Sequence, residues 1–316
     1  TDPGTVPSVI RSYLDGRRQW AAVRMHRHDR IGTRDVQVAF YGGSFTALPP
    51  QVQESYLAAV SPFIASGDIV GIRISTRPDA ISRSIIEPLA RFHVTTIELG
   101  AQSLSDEVLR RSGRGHTAAD TVKAASLLRE KGFRVGLQLM PGLPGDTVET
   151  FHAPVERTLS LRPDIVRIYP TLVIRDTPLA ALFHSGRYSP LTLDQAITLC
   201  RHALARFRNS GIDVVRIGLQ PTDELEQKHT VIAGPYHPAL RQLVESALYM
   251  ERMREGLVPL SGGNEVTFLV HPSDLSSAIG QKRCNIAALR EQNPGKSLKI
   301  VADGAVRRGT VTIKIC

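Results

Sequence analysis

The chain has 316 residues, of which 42% are hydrophobic, and a formal net charge of +9 at pH 7. This length is enough for one large α/β domain with a small module, or for two ordinary domains, and the composition excludes a disordered protein. No apolar run approaches the roughly 20 residues that a membrane span requires. The charged N-terminal region also lacks the apolar core of a signal peptide. We therefore expect a cytoplasmic protein without a membrane partner.

Three cysteines, Cys200, Cys284 and Cys316, lie far apart in the sequence. This spacing excludes a disulfide framework and any zinc or iron–sulfur site built from this chain alone. The excess of positive charge favours a polyanionic partner. The alternative is a protein of arginine-rich composition whose excess charge is only solvated, and charge by itself does not separate the two.

Six short apolar segments alternate with helical patterns, and each is predicted to be a β-strand. They cover residues 36–41, 70–75, 95–99, 133–139, 165–169 and 214–219. Capping boxes at residues 117–120 and 192–195 each open a helix. In the first of these helices Val122, Ala125 and Leu128 are predicted to share one buried face. The alternation predicts a parallel sheet built from βα units.

The carboxyl ends of parallel strands meet at one edge of a sheet, and ligands bind there. Polar or glycine-rich residues follow the predicted strands, so we predict one shared site at this edge. The glycine pair at residues 42–43 is too short for a phosphate loop, because no third glycine and no Gly-Lys-Ser/Thr follows it. The candidates are Gly42, Gly43, Ser44, Ser75, Arg77, Glu98, Gln102, Gln138, Tyr169 and Gln220.

A helical, arginine-rich segment at residues 6–27 precedes the first predicted strand. In a right-handed succession of βα units a helix in that position follows a strand. We therefore expect an opening strand and its loop upstream of the given sequence.

The pattern changes after residue 256. Residues 260–264 are predicted to be a linker. Strands at 266–270, 298–301 and 311–315, together with a broken helix at 273–291, then form a small α+β unit. We predict two domains, residues 1–256 and 257–316.

Four stretches carry a resemblance to a known family: "FYGGSFTALP", "ELGAQSLSDEVLRRSGRGHT", "LQLMPGLPGDT" and "VRIYPTLVIRDTPL". Over about residues 5–250 the chain resembles the radical S-adenosylmethionine domain of the Elongator catalytic-subunit family. More distantly, it is similar to oxygen-independent coproporphyrinogen oxidases. The resemblance implies an incomplete (β/α)6 TIM-type barrel. It also implies that the first strand and its Cys-x-x-x-Cys-x-x-Cys loop belong just upstream of Thr1.

In that family three thiolates hold a [4Fe–4S] cluster that generates a 5′-deoxyadenosyl radical from S-adenosylmethionine. The electrons come from a donor such as flavodoxin or ferredoxin. This sequence contains no cysteine triplet. Either the loop is encoded but absent from this chain, or the protein is a degenerate, non-radical relative. The other cofactor-facing motifs are intact, which favours the absent loop.

The resemblance assigns cofactor-binding roles to several residues. Gly42 and Gly43 match the family's Gly-Gly-Glu motif, whose backbone carbonyls accept hydrogen bonds from the cofactor's ammonium group, with Ser44 in place of the acidic residue. Arg114 matches a cation for the cofactor carboxylate. His116 is interpreted as structural.

Further roles follow from the same resemblance. Glu98 matches an acidic position for the ribose hydroxyls, Gln102 is the neighbouring polar position, and Gln138 and Tyr169 line the adenosine side. No catalytic side chain is assigned, because the cofactor carries the radical chemistry. The remaining cofactor-binding candidates are Ser75 and Arg77, and the substrate-facing candidates are Tyr169, Arg216 and Gln220.

The C-terminal stretch "DLSSAIGQKRCNIAALRE" is similar to the Ile-Gly-x-x-Gly-x-Asn-Ile loop of K-homology RNA-binding domains. Gly280 keeps the first glycine of that loop, whereas Arg283 replaces the second. The resemblance implies that Lys282 and Arg283 meet RNA phosphates. The alternative is a degenerate K-homology fold that serves only for packing between domains.

Together these features predict a radical S-adenosylmethionine enzyme that modifies an RNA base, with tRNA as the expected RNA. Nothing in the sequence resembles the acetyltransferase domain of the Elongator family, so acetyl-coenzyme A as a second substrate is in doubt. One alternative is a radical enzyme for a small molecule or tetrapyrrole. Another is a non-enzymatic RNA-binding protein on a decayed barrel.

Overall fold

The computed structural model describes residues 2–24, 36–227, 229–257 and 265–315, and the chain divides into two compact units. The first unit comprises Thr1–Leu139 and Glu156–Arg167, and the second comprises Met140–Val155 and Ile168–Cys316. The end of the predicted N-terminal helix at 25–27 and the predicted linker at 260–264 lie outside the described residues. None of the described helices is both long enough and apolar enough to cross a membrane.

From the N-terminus to the fifth strand, helices and strands alternate as the sequence predicts. The strands β1 to β5 lie side by side in chain order, and β2 is parallel to β1 and β3, as β4 is to β3. The elements are α1 (Val6–Arg24), β1 (Gln37–Phe40), α2 (Pro50–Ala58), α3 (Ser61–Ala65), β2 (Gly71–Thr76), α4 (Arg83–Arg91), β3 (Val94–Gln102), α5 (Asp106–Arg111), α6 (Ala118–Glu130), β4 (Arg134–Leu139), α7 (His152–Leu161) and β5 (Ile165–Ile168). The parallel sheet with helical connections, and with it the predicted partial barrel, is confirmed.

Strand alternation divides the side chains of the first unit between two faces. Ile72 and Ile74 of β2 are fully buried in the core of this unit, together with apolar residues of α4 and α6. Arg73 and Ser75 are only partly buried and point to the opposite face, because successive side chains of a strand alternate in direction. The face away from the helices is therefore the polar one.

Both predicted capping boxes are present. Thr117 and Asp120 bond each other's backbone amides at the start of α6, and Thr192 and Gln195 do the same at the start of the helix Leu193–Asn209. The predicted buried face of α6 is wrong at Val122, whose side chain is exposed. The face is centred on Ala124, Ala125 and Leu128 with Thr121, because this helix packs through small residues.

The second unit continues the alternation and adds two smaller sheets. Strands β6 and β8, only two and three residues long, form an antiparallel pair that the sequence analysis missed because such short strands leave no periodic pattern. The elements are β6 (Val173–Ile174), α8 (Pro178–His184), α9 (Leu193–Asn209), β7 (Asp213–Ile217), α10 (Asp223–Glu226), β8 (Val231–Ala233) and α11 (Leu240–Leu257).

The C-terminal part of the second unit is a three-stranded sheet packed on α11. Its elements are β9 (Glu265–Val270), α12 (Leu275–Ile279), α13 (Cys284–Gln292), β10 (Ser297–Ala302) and β11 (Thr312–Ile315). The central strand β9 is parallel to β10 and antiparallel to β11. Tyr249 and Met253 of α11 share one core with Phe268 of β9 and Leu289 of α13. The predicted order of strands and the broken helix is observed.

Candidate cofactor site

The glycine pair after β1 leaves an open stretch of backbone at the carboxyl end of that strand. Gly42 has a φ of 107°, a conformation that favours glycine because it has no Cβ. A Cβ atom on either Gly42 or Gly43 would meet no heavy atom within 4 Å. Both residues are exposed. The peptide groups of the pair are therefore accessible to a ligand, and the space that a side chain would occupy at either residue is open.

A cavity of about 430 Å³ adjoins the glycine pair. Phe40 lies at its wall, with its ring centroid 5.5 Å from those of both Phe45 and Tyr56. An apolar wall beside open peptide groups is the combination that small-molecule sites commonly use. The lining residues are Val6, Val9, Ile10, Val38, Ala39, Phe40, Tyr41, Gly42, Gly43, Ser44, Phe45, Leu48 and Tyr56.

Glu98 of β3 is the centre of a hydrogen-bond network that collects side chains from neighbouring strands. Its carboxylate accepts hydrogen bonds from the Tyr41 hydroxyl at 2.7 Å and from Arg73 Nη1 at 3.2 Å. Arg167 at the end of β5 donates from Nε at 2.5 Å and from Nη2 at 3.1 Å. Gln138 Nε2 lies 3.5 Å from Glu98 Oε2. The network fixes Tyr41, the residue that precedes the glycine pair.

The space for Glu98 is provided by Gly136 on the adjacent strand. Gly136 is the register partner of Glu98 in the β3–β4 pairing. A Cβ atom on Gly136 would lie 2.8 Å from Glu98 Cγ and 3.0 Å from Ile165. Glycine is therefore required here by close packing rather than by an unusual backbone angle.

The network holds Glu98 as a carboxylate. Burial raises the pKa of Glu98, but the hydrogen bond and charge of Arg167, the Tyr41 hydroxyl and the charge of Arg73 outweigh it and lower the pKa below its ordinary value. Burial and the charge of Glu98 raise the pKa of Tyr41 to about 12. The guanidinium of Arg167 also lies 5.2 Å from the centroid of the Tyr41 ring, where it makes a cation–π contact.

The sequence analysis missed Arg73 and Arg167. Each stands inside an otherwise apolar strand, in Ile-Arg-Ile and Val-Arg-Ile. Because arginine is rarely placed in a buried strand without a partner, these two positions were a usable signal for a polar interior face.

The other candidates of the first unit lie around this edge with partners of their own. Ser75 Oγ accepts a hydrogen bond from Gln138 Nε2 at 3.3 Å. Arg77 is exposed and pairs with Asp79 at 2.7 Å. Gln102 ends β3 with a φ of 61°, and burial lowers the pKa of Arg114.

His116 is buried and its Nε2 atom lies 3.1 Å from the carbonyl oxygen of Ala101. This contact supports the structural interpretation of His116. The imidazole ties the loop after α5 to the end of β3.

The substrate-facing candidates belong to the second unit. Tyr169 follows β5 directly and is half-buried. Arg216 of β7 is half-buried and donates from Nε to the carbonyl oxygen of Gly218 at 3.1 Å. Gln220 is exposed beyond the end of β7.

The loop between α12 and α13 has an unusual backbone. Gly280 has a φ of 81°, and a Cβ atom there would lie 2.6 Å from Cys284 Sγ, so glycine is required twice over. Lys282 and Arg283 have φ values of 50° and 63°, which are rare for residues with a side chain. Both are exposed.

The two thiols that the structure describes do not fit an iron–sulfur cluster. Cys200 is fully buried in α9, Cys284 is exposed at the start of α13, and Cys316 lies outside the described residues. Within the described ranges no group of three or more histidine, cysteine, aspartate or glutamate side chains is arranged to hold a metal ion.

Comparison with known families gives two adjoining matches. Residues 22–158 match the Radical SAM superfamily, and residues 163–250 match the Radical_SAM C-terminal domain. Together these matches span most of the region in which the sequence motifs lie.

Curated relatives and a solved structure agree with these matches. The chain is 36% identical over 202 residues to a tRNA uridine(34) acetyltransferase of Methanocaldococcus infernus, covering 57% of this chain and 38% of the relative. It is 31% identical over 192 residues to Elongator complex protein 3 of Saccharomyces cerevisiae, covering 54% of this chain and 34% of the relative. The structure of Methanocaldococcus infernus Elp3 with an N-terminal deletion matches with a TM-score of 0.63 and 27% identity, over 81% of this chain and 62% of that chain. The chain thus spans little more than a third of the curated relatives that it matches.

Proposed function

The chain belongs to the radical SAM superfamily of enzymes, and we propose that it binds S-adenosylmethionine at the Gly42–Gly43 edge and modifies a base of tRNA. The observation that carries this proposal is the glycine pair itself. Its peptide groups are open, a Cβ on either residue would project into free space, and a largely apolar cavity adjoins them. A small ligand with an ammonium group and an adenine ring fits such a combination of carbonyl acceptors and apolar wall.

The residues proposed to hold the cofactor differ in their support. Gly42, Gly43 and Ser44 line the cavity directly. For Glu98 we propose an indirect role, because its carboxylate already accepts hydrogen bonds from Tyr41, Arg73 and Arg167. The remaining proposed ligands are Ser75, Arg77, Gln102, Arg114, Gln138 and Tyr169.

In this family S-adenosylmethionine, together with a [4Fe–4S] cluster, supplies a 5′-deoxyadenosyl radical. The contribution of this chain is binding and orientation. The Glu98 network fixes Tyr41 and therefore the position at which the chain enters the glycine pair. The apolar wall keeps water from one side of the cavity. Neither Cys200 nor Cys284 is placed to ligate the cluster, so no step through it is assigned to these residues.

An RNA substrate is supported by charge and by the C-terminal module. The net charge of +9 suits a polyanion, and Lys282 and Arg283 stand exposed in a glycine-containing loop. We propose that residues 257–316 form an RNA-binding domain and residues 1–256 the barrel domain. The relatives named for tRNA uridine modification support tRNA as the RNA.

Cofactor binding is tested with a matched pair of glycine substitutions. Gly43→Val places a branched side chain at a residue that lines the cavity, whereas Gly304→Val adds the same side chain in open space on the module, at a residue that does not line it. Calorimetric titration with S-adenosylmethionine is expected to show binding for the parent and for Gly304→Val, and a loss of at least about tenfold for Gly43→Val. Equal affinities of the two variants for S-adenosylmethionine would show that the glycine pair is not part of the cofactor site.

The substrate class is tested by binding of unmodified tRNA. Lys282→Ala/Arg283→Ala is expected to weaken binding and to reduce its dependence on salt. Arg110→Ala/Arg111→Ala, an equally basic exposed pair on α5, is the control. Unchanged tRNA affinity in the loop variant would favour a small-molecule or tetrapyrrole substrate, and tRNA binding without S-adenosylmethionine binding would favour a non-enzymatic protein.

The enzymatic assignment also requires three cluster thiolates that this sequence does not contain. The reading frame upstream of Thr1 decides the point. A three-cysteine motif there supports radical chemistry, with flavodoxin or ferredoxin as the electron donor, and anaerobic reconstitution is then expected to yield cleavage of S-adenosylmethionine on reduction. A reading frame without the motif would contradict the assignment of radical chemistry.

A further inference from the structure

A second cavity, of about 340 Å³, lies beside the small β6–β8 sheet of the second unit. Three of its lining residues come from different elements. Arg175 directly follows β6, His184 ends α8, and His229 precedes β8 by two residues. Val231 and Ile232 of β8 also line it. The described lining therefore combines two apolar residues with three basic ones, which are called the basic rim here.

The basic rim has no counter-ion in the described parts of the chain. With the side chains that the structure describes, Arg175, His184 and His229 make no ion pair. No acidic residue is among the described residues that line the cavity. Three exposed nitrogen-bearing residues that line one small space, with no acidic residue among its described lining, are suited to an anion.

The frame around the cavity is fixed. The Arg175 amide donates to the carbonyl oxygen of Thr230 at 2.9 Å, which joins the two strand ends that carry Arg175 and His229. Val173 of β6, Ala180 of α8 and Tyr188 form a separate apolar cluster. The backbone positions that carry Arg175 and His229 are therefore set by strand pairing, and the exposed side chains extend from this frame.

We propose that Arg175, His184 and His229 form a phosphate-binding pocket. A guanidinium offers parallel N–H donors that match two oxygens of a phosphate, and each imidazole adds an N–H donor. The phosphate is that of the RNA backbone if the substrate is tRNA, and this part rests on the proposed function. The pocket itself does not, because a phosphate ester of a small molecule presents the same oxygens.

The test compares two neighbouring arginines in the full chain. Arg175→Gln removes the guanidinium from the cavity, whereas Arg187→Gln removes an exposed arginine that does not line it and that donates to Ser185 Oγ. His229→Gly is the third variant, because His229 has a φ of 74° and glycine removes the imidazole without strain. Thermal unfolding checks that each variant is folded.

Two probes separate the sources of the phosphate. With unmodified tRNA, Arg175→Gln and His229→Gly are expected to lose about tenfold in affinity, the loss of one charge-assisted hydrogen bond. The Arg175→Gln variant should also lower the slope of log affinity against log salt by about one. The Arg187→Gln variant is expected to change the tRNA affinity and this slope by less. Inorganic pyrophosphate, followed by calorimetry, is the second probe.

The outcomes are distinct. Loss of tRNA affinity in the cavity variants, with Arg187→Gln near the parent, assigns the pocket to the RNA backbone. Unchanged tRNA affinity with pyrophosphate binding lost only in the cavity variants assigns it to a small phosphate ester. Equal losses in Arg175→Gln and Arg187→Gln, or no phosphate binding to the parent with either probe, would overturn the proposal. The pyrophosphate measurement tests the pocket even if the chain neither cleaves S-adenosylmethionine nor acts on tRNA.

Discussion

Two regions of the molecule use charge in opposite ways. In the first unit, Arg73 and Arg167 enclose the carboxylate of Glu98, which is not exposed at all. In the C-terminal module, Lys282 and Arg283 are exposed, and neither side chain makes a hydrogen bond or an ion pair with any residue that the structure describes. Buried charges that pair between strands hold the side chains of those strands in fixed relative positions. Unpaired surface charges remain available for a ligand.

The backbone sharpens the contrast. The strands that carry the Glu98 network are regular and in register. The loop at residues 280–283 instead holds two basic residues at positive φ, a conformation that costs on the order of 1–2 kcal/mol per residue with a Cβ. Backbone strain is often found at functional sites. A strained loop with two exposed cations is therefore typical of a binding element.

The largest effect is expected from Glu98→Gln. This change leaves two largely buried guanidinium groups without their carboxylate, so the free energy of unfolding should fall by about 3–5 kcal/mol. Urea unfolding measures it. Glu107→Gln, at an exposed carboxylate paired with Arg110 and Arg111 on α5, is the control and should change by less than about 0.5 kcal/mol. Similar small changes in both variants would mean that the network does not stabilise the fold.

The Glu98 network should also be lost in acid. The pKa of Glu98 lies below its ordinary value in the folded protein, so its contribution to stability is fully present above the unfolded-state pKa of about 4.3. It is lost as the pH falls through the folded-state pKa. The difference in unfolding free energy between the parent and Glu98→Gln is thus expected to shrink between pH 7 and pH 3. A difference that stays constant over this range would argue against an ionised Glu98.

An intermediate effect is expected from Asn285→Ala in the module. The buried Asn285 amide donates to the carbonyl oxygen of Ser246 at 2.9 Å and to that of Ala278 at 3.1 Å, and so joins α13 to α11 and α12. Its loss removes these buried hydrogen bonds together and should cost about 1–3 kcal/mol. Asn293→Ala, which removes a half-exposed amide at the end of α13, is the control and should cost about 1 kcal/mol or less. Equal costs would show that Asn285 does not anchor the loop.

The smallest change in stability is expected from Lys282→Gly/Arg283→Gly, and it should be opposite in sign to the change in tRNA affinity. Glycine relieves the positive φ at both positions, partly offset by its entropy in the unfolded chain, so stability should rise by up to about 1 kcal/mol. Lys282→Ala/Arg283→Ala keeps the strain and should not rise. Both double variants should lose tRNA affinity to the same extent. A glycine variant that loses stability would show that these residues serve packing.

Much of the fold was predictable because its signals are local. Capping boxes at 117–120 and 192–195 and alternating apolar strands predicted the order of elements in the barrel. The burial of α6 was not predictable at Val122, since a face made of alanine and threonine gives a weak hydrophobic pattern. The β6–β8 pair was missed because its strands are too short to leave a pattern, and with it the cavity at Arg175.

By itself the sequence determined the βα alternation, the glycine pair that ends β1 and the glycine of the module loop, because each depends on local backbone preference or on a short motif. Only the tertiary structure decided that Glu98 is enclosed by Arg73 and Arg167. These partners lie 25 and 69 residues away along the chain, and it is strand order and register that bring them together. Likewise, Arg175, His184 and His229 meet only because two very short strands pair. Contacts between residues distant in sequence depend on how elements pack, and no local pattern encodes that packing.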